Sequence, residues 1–266
     1  MGFLNKLGIA MGGSAAREST TPLHTNGKPP NGNGAASGAV GSTRPPQMPE
    51  INRVSNGLKE LLWNLDGLGR GTMLDLGPAW QTTLSFFIER GFRVSSEDIL
   101  RGWKEFLTEE EARLRGADAA SHVPGNASNQ GSGNIPGHDV DMTPNGRAVR
   151  FLTANLQYPK SSFDAVLLWD LLDYLEPAVA KQTIAWITEL LRPGGVVFAM
   201  FHSKKPEGFQ RYRVADSSTL QVISAAVICP AQKVYQNREI QDLFARYRTS
   251  KSFVGRDQLR ETLFIK

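Results

Sequence analysis

The sequence predicts an α/β fold, a mostly parallel sheet covered by helices on both faces, and three segments in succession carry that prediction. The first is TMLDLGPAW, Thr72 to Trp80. A short apolar run meets Asp75, breaks at Gly77-Pro78, and gives way to a helical pattern. A buried strand that turns through glycine into a helix aims backbone N–H groups and a positive helix end at one spot, the place where nucleotide-type ligands bind in open α/β sheets. The second segment is SSFDAVLLWDLLDYLEP, Ser161 to Pro177, and the third is LRPGGVVFAMFH, Leu191 to His202.

The elements follow in order. Val54, Leu58, Leu61, Leu62 and Leu65 at helical spacing predict a helix over Ile51–Leu65. Met73–Leu76 is the first strand, Trp80–Arg90 a helix, and Phe92–Ser96 the second strand, ending at Glu97-Asp98. Trp103–Arg115 is helical, and Thr108 with Glu111 three residues on has the form of a capping box. Val149–Ala154 is predicted as a short third strand. Phe163–Trp169, strongly apolar, is a central fourth strand. Pro177–Leu191 is helical until Pro193-Gly194-Gly195 turns the chain into a fifth strand, Val196–His202. Asn237–Tyr247 is a last helix, and Thr249–Phe253 with Thr262–Ile265 form an antiparallel pair.

Two segments cannot bury enough apolar surface to offset their ordering entropy. Residues 1–50 are predicted as a disordered tail, rich in Gly, Pro, Ser, Thr and Asn from Gly12 on. A second such segment, about residues 116–147 around HVPGNASNQGSGNIPGHD, is predicted as a flexible insertion within one domain spanning 51–266.

Composition narrows the classes. With 30 Lys plus Arg against 26 Asp plus Glu, the charge of +4 is mild and spread out, which argues against a dedicated nucleic-acid surface. Cys229 is the single cysteine. It excludes an intrachain disulfide framework and a cysteine-rich zinc site, and it fits a reducing, cytoplasmic setting. No apolar run approaches the roughly 18 residues of a membrane span. GFLNKLGIAMGG has too short an apolar core for a signal peptide, and Lys6 stands where myristoylation of Gly2 wants serine or threonine.

The DLGPA turn, the acids after the second strand, FDAVLLWDLLDYLE and LRPGG together resemble the class I S-adenosylmethionine-dependent methyltransferases. The resemblance covers about residues 51–266 apart from the insertion. It implies a Rossmann-like, seven-stranded sheet of order 3-2-1-4-5-7-6 in which an antiparallel strand closes the chain. It also implies S-adenosylmethionine as cofactor. The first turn, with Asp75, Gly77 and Ala79, would approach the methionine part, and Glu97 or Asp98 would grip the ribose hydroxyls. Asn155, after the third strand, would lie near adenine, and Asp170 at the mouth of the transfer site. The family's glycine turn carries two or three glycines at alternate positions. Here they become Gly77, Ala79 and Gln81, and Pro78 removes a donor.

Each of these residues has a bland alternative. Gly77 also suits an ordinary strand-to-helix turn, Asp75 a carboxylate satisfied by backbone N–H groups, and Glu97 or Asp98 a helix-start acid. Asp170 ends the most apolar strand and needs water or a partner there. Trp169 and Tyr174 beside it read equally as core, and Asp164 as structural. His202, closing the fifth strand, is the candidate catalytic base. Arg211 and Arg213 suit an anionic acceptor or a solvated loop. His122, His138, Asp139 and Asp141 lie in the insertion, without a rigid element to fix metal geometry, so no metal is expected.

Three functions remain in view. A methyltransferase with an unidentified acceptor, a small molecule among the options, comes first. A non-catalytic relative serving as scaffold or binding module is second, and the altered turn favours it. A nicotinamide-dependent oxidoreductase is third, but DLGPAWQ lacks GxGxxG.

Overall fold

The computed structural model describes residues 51–121 and 141–266. In chain order these form β1 (Ile51–Val54), α1 (Asn56–Leu65), β2 (Gly71–Asp75), α2 (Gln81–Ile88), β3 (Phe92–Ser96), α3 (Ile99–Ser121), α4 (Pro144–Asn155) and β4 (Phe163–Trp169). There follow α5 (Pro177–Leu190), β5 (Leu191–His202), β6 (Gln210–Val214), β7 (Thr219–Ser224), α6 (Asn237–Leu243), β8 (Thr249–Val254) and β9 (Leu259–Ile265).

The main sheet has six strands in the order β3-β2-β4-β5-β9-β8. β3, β2, β4 and β5 run parallel, β9 is antiparallel to β5, and β8 is antiparallel to β9. Phe163–Trp169 is central, as its composition predicts. The fold is the Rossmann-like one that the resemblance implies, with one strand fewer in the main sheet among the described residues. The missing strand is Val149–Ala154, which is helical. Thr143 caps α4 by accepting from the backbone N–H of Gly146 at 3.1 Å, and Pro144 opens the first turn. Ala148, Phe151 and Leu152 then bury one helical face.

Alternation divides the core in two. Leu74, Val166, Leu168, Val197 and Phe201 pack on one face with α3, α4, α5 and α6. Met73, Ala165, Leu167, Phe198 and Met200 pack on the other with α1, α2 and a small second sheet. That sheet, of order β1-β7-β6, is antiparallel throughout. It replaces the expected helix over Ile51–Leu65 at its start. Ser55 follows β1 as the N-cap of α1, its Oγ accepting from the N–H of Leu58 at 2.9 Å, so the helix begins only at Asn56. Tyr212 and Val214 of β6 and Leu220 and Val222 of β7 are buried against the main sheet.

Further boundaries differ from expectation: β5 begins at Leu191, so Pro193-Gly194-Gly195 lies within it, α6 ends at Leu243, and β9 begins at Leu259. α3 begins at Ile99, so Thr108 is a mid-helix residue whose hydroxyl donates to the carbonyl of Lys104 at 2.9 Å rather than a cap. Of the predicted insertion, residues 116–121 belong to α3 and 144–147 to the first turn of α4. Its remaining core lies outside the described residues, as does the predicted tail. Among the described residues, no helix is long and apolar enough to cross a membrane.

Candidate active site

The C-terminal ends of β2, β3, β4 and β5 bring together most of the residues that sequence reasoning singles out. The chain leaves β2 toward β3 on one side and reaches β4 on the other, which makes this end a topological switch point.

Asp75 closes β2 and is 1% exposed. Its Oδ1 accepts from the backbone N–H of Gly77 at 2.9 Å and from the indole N–H of Trp169 at 2.7 Å. Its Oδ2 is buried without a hydrogen-bond partner among the described residues. Burial pushes its carboxyl up to about 6, against the pull of those two bonds.

Gly77 is needed here for a contact within the protein. A Cβ at this position would stand 2.8 Å from both Cδ1 and Nε1 of Trp169. Trp169 itself ends β4 with φ of +53°, a strained value for a side chain of its size. Its ring stacks on Tyr212 at 6.3 Å and meets Phe198 edge-on at 5.9 Å. Gly77→Val is therefore expected to cost about 1–3 kcal/mol by overpacking, seen as a lower urea midpoint. An unchanged midpoint would mean that the indole moves freely.

Both acids after β3 already have protein partners. Asp98 holds one guanidinium nitrogen of Arg211 at 3.0 and 3.1 Å, and its Oδ1 also accepts from the N–H of Arg101 at 3.3 Å in the first turn of α3. Glu97 accepts from the phenol of Tyr158 at 2.6 Å. Ala79 is exposed in the loop before α2. Asn155 ends α4 instead of following a strand, and its side chain donates to the carbonyl of Phe151 at 2.8 Å.

At the ends of β4 and β5 lies a second polar group. Leu171–Tyr174 form a single 3-10 turn, with Asp170 just before it and Asp173 within it, and both carboxylates lie near the ring of His202. Asp173, fully buried, accepts at Oδ2 from both the backbone N–H of His202 at 2.7 Å and its Nδ1 at 2.9 Å. His202 Nε2 stands 4.0 Å from Asp170 Oδ2. Asp170 Oδ2, Asp173 Oδ1 and the Tyr174 hydroxyl are buried with no hydrogen-bond partner among the described residues. Burial pushes Asp170 up to about 7, with Asp173 adding to the rise and His202 opposing it. Arg211 links the two groups, since its charge acts on both Asp75 and Asp170.

The other candidates sit apart. Asp164 anchors β4 to Thr72 and to Arg192. Arg213 donates to Gln221 at 2.6 Å. Asp141 is exposed and caps Thr143, and His122, His138 and Asp139 lie outside the described residues. Sequence reasoning missed Asp173 as the partner of His202. The spacing of Asp170 and Asp173 was visible, but only the 3-10 turn gives it meaning.

No family model matches the chain, and no curated protein matches it. Solved structures resemble it distantly. A 1,6-didemethyltoxoflavin-N1-methyltransferase of Burkholderia thailandensis, with bound 1,6-didemethyltoxoflavin and S-adenosylhomocysteine, is 16% identical across 79% of this chain and 78% of that one, with a TM-score of 0.36. An S-adenosylmethionine-dependent methyltransferase of Mesorhizobium loti is 13% identical across 78% and 96%, with a TM-score of 0.39. A further one, from Methanosarcina mazei, is 16% identical across 74% and 92%, with a TM-score of 0.36.

Proposed function

We propose that the chain is an S-adenosylmethionine-dependent methyltransferase acting on an acceptor that contributes its own nucleophile. The supporting observation is the switch point itself. There a buried carboxylate, Asp75, with one oxygen unpartnered among the described residues, closes a central strand, and two acids follow its parallel neighbour. The residue types fit the cofactor. Asp75 would face its ammonium end, Glu97 or Asp98 its ribose hydroxyls, and Asp170 the mouth near its methyl. Ala79 and Asn155 would flank its two ends. The cofactor supplies a methyl group already activated on a sulfonium, so the protein's task is to align a nucleophile, exclude water and accommodate a proton.

The arrangement is a closed one. The indole of Trp169 fills the space beside Gly77, and Arg211 occupies Asp98. Binding thus requires both side chains to turn away. This same observation favours a second function, in which the fold is retained as a non-catalytic scaffold and its crevice is permanently filled by the protein's own side chains.

Calorimetric titration with S-adenosylmethionine separates the two. Wild type is expected to bind, and replacing both Glu97 and Asp98 by alanine to weaken binding by about ten- to a hundredfold, the worth of a charge-assisted hydrogen bond of roughly 1.5–3 kcal/mol. Wild type that shows no heat of binding supports the scaffold. Equal binding by both forms moves the ribose site elsewhere.

A further inference from the structure

β8 and β9 close the main sheet, and their side chains alternate between its two faces. Their register sets Ser250 opposite Phe264, Ser252 opposite Thr262 and Val254 opposite Arg260. Phe264 belongs to the core on the α6 side, where its ring stacks on that of Phe244 at 3.6 Å. A period of two therefore puts Thr262 and Arg260 on the same face. A cavity of about 210 Å³ opens there, between the strand pair and α6, whose Asn237, Ile240 and Gln241 form its other wall.

The lining carries charge of one sign. Among the described residues, Arg260 is its one charged residue, and no acid lines it. Arg260 is half-buried, and its Nη1 is fully buried with no hydrogen-bond partner among the described residues. Its field reaches Asp173. The two do not bond to each other, however, since Asp173 Oδ1 is itself without a partner and Oδ2 is held by His202. A guanidinium nitrogen withdrawn from water without a partner is destabilising, and an anion within reach offsets that penalty.

The polar groups beside it can all donate. Ser252 and Thr262 share one hydrogen bond at 2.9 Å, so one of the two hydroxyls keeps its proton for a ligand. Ser250 adds a further hydroxyl. Asn237 and Gln241, four positions apart on one face of α6, add two side-chain amides.

We propose that this cavity binds a phosphate group, as the inorganic ion or on a small phosphomonoester, with Arg260 as the anchoring charge. Guanidinium and hydroxyls come from the strand wall and amides from the helix wall. A tetrahedral oxyanion has oxygens for both walls at once, whereas a planar carboxylate is matched by the guanidinium fork alone. The volume falls below the roughly 300–1,000 Å³ of sites for drug-sized ligands, which fits a phosphate group rather than a whole nucleotide. Ser250, Ser252 and Val254 on the edge strand are exposed, so the organic part of an ester projects into solvent there. None of the residues given to the methyl donor lines this cavity, and the site is independent of methyl transfer.

Inorganic phosphate is titrated calorimetrically into the full chain at about pH 7.5 and fixed ionic strength. Wild type is expected to bind it, and Arg260→Gln to bind about ten- to a hundredfold more weakly through loss of a charge-assisted hydrogen bond. Arg256→Gln removes the same charge from the exposed β8–β9 turn and should leave the affinity unchanged. Equal losses in the two variants would reduce the effect to diffuse attraction and overturn the site. A wild type that shows no binding would overturn it as well.

Ser252→Asp offers Arg260 a carboxylate from the exposed edge strand while keeping the arginine in place. It should block phosphate and abolish the rise in urea midpoint that phosphate gives wild type. Phosphate binding that survives this change would count against the site, even if Arg260→Gln folds poorly. Acetate at the same ionic strength should bind more weakly, and equal affinity for it would refute the phosphate assignment. Methyl phosphate separates the two sources: affinity at least equal to that of inorganic phosphate assigns the site to a monoester, and binding of inorganic phosphate alone assigns it to the ion.

Discussion

Asp170→Asn is expected to make the protein more stable at pH 8, by about 2–4 kcal/mol, and to flatten its stability between pH 5 and pH 8. Asp170 has a folded value of about 7 against an ordinary 3.8. Between those two values the folded state holds a proton that the unfolded chain has released. The group's contribution is therefore complete below 3.8 and is lost, by about 1.4 kcal/mol per pH unit, as pH rises toward 7. Asp75 acts with the same sign, up to about 6. Carboxylates held below their ordinary values by partners, Asp164 with Arg192 and Thr72 among them, lose their contribution only on the acid side of the window. Urea unfolding at pH 5 and pH 8 isolates the buried group. Parallel losses in wild type and variant would show that Asp170 reaches solvent in the folded state.

The second large effect belongs to Trp169. Trp169→Ala is expected to cost about 3–5 kcal/mol, the usual loss for a large buried aromatic. It should also tighten the binding of S-adenosylmethionine, because the indole no longer fills the space beside Gly77. A destabilised variant with improved affinity is an unusual pairing, and a scaffold with no ligand would not show it. Gly77→Val should cost less in the Trp169→Ala background than alone, since the clash at 2.8 Å has gone. Urea midpoints and calorimetry on the four proteins of this cycle check both statements. Additive costs would mean that the two residues do not meet in solution.

The legible parts of the fold were those whose signals are local. β4 is an apolar run between Ser162 and Asp170, β3 is a short alternation of Phe92 and Val94 after Gly91, and α5 is announced by Pro177. Val149–Ala154 misled because six residues fit period 2 and period 3.6 alike. The deciding residues, Thr143 and Pro144, precede the run. β6 carries a genuine alternation, with Tyr212 and Val214 buried, but Arg211 and Arg213 beside them resemble a solvated loop. In the site, Asp75, Glu97, Asp98, Asp170 and His202 stood out as ionisable residues at the ends of apolar strands. Their partners did not. Trp169 reaches Asp75 across 94 positions, Arg211 reaches Asp98 across 113, and Tyr158 reaches Glu97 across 61. Contacts of that separation leave no periodic trace.

The small sheet has a mechanical consequence. Its middle strand, β7, is bonded on one side to β6 and on the other to β1, drawn from 165 or more residues earlier in the chain, as in the pairs Val54 with Thr219 and Ile51 with Val222. Ser55 adds a bond from its N–H to the carbonyl of Ser218 at 2.8 Å. Arg53 ties β1 to Asp257 and to the buried Glu261 of β9, whose other oxygen accepts from the N–H of Gly57 at 2.6 Å. A flap hung from one pair of strands would swing on a single hinge. This one is riveted at its far edge to the first helix and the last strand. With that edge fixed, the side chains of Trp169 and Arg211, and not the sheet that carries Arg211, are the parts whose rotation would open the space beside Gly77 and Asp98.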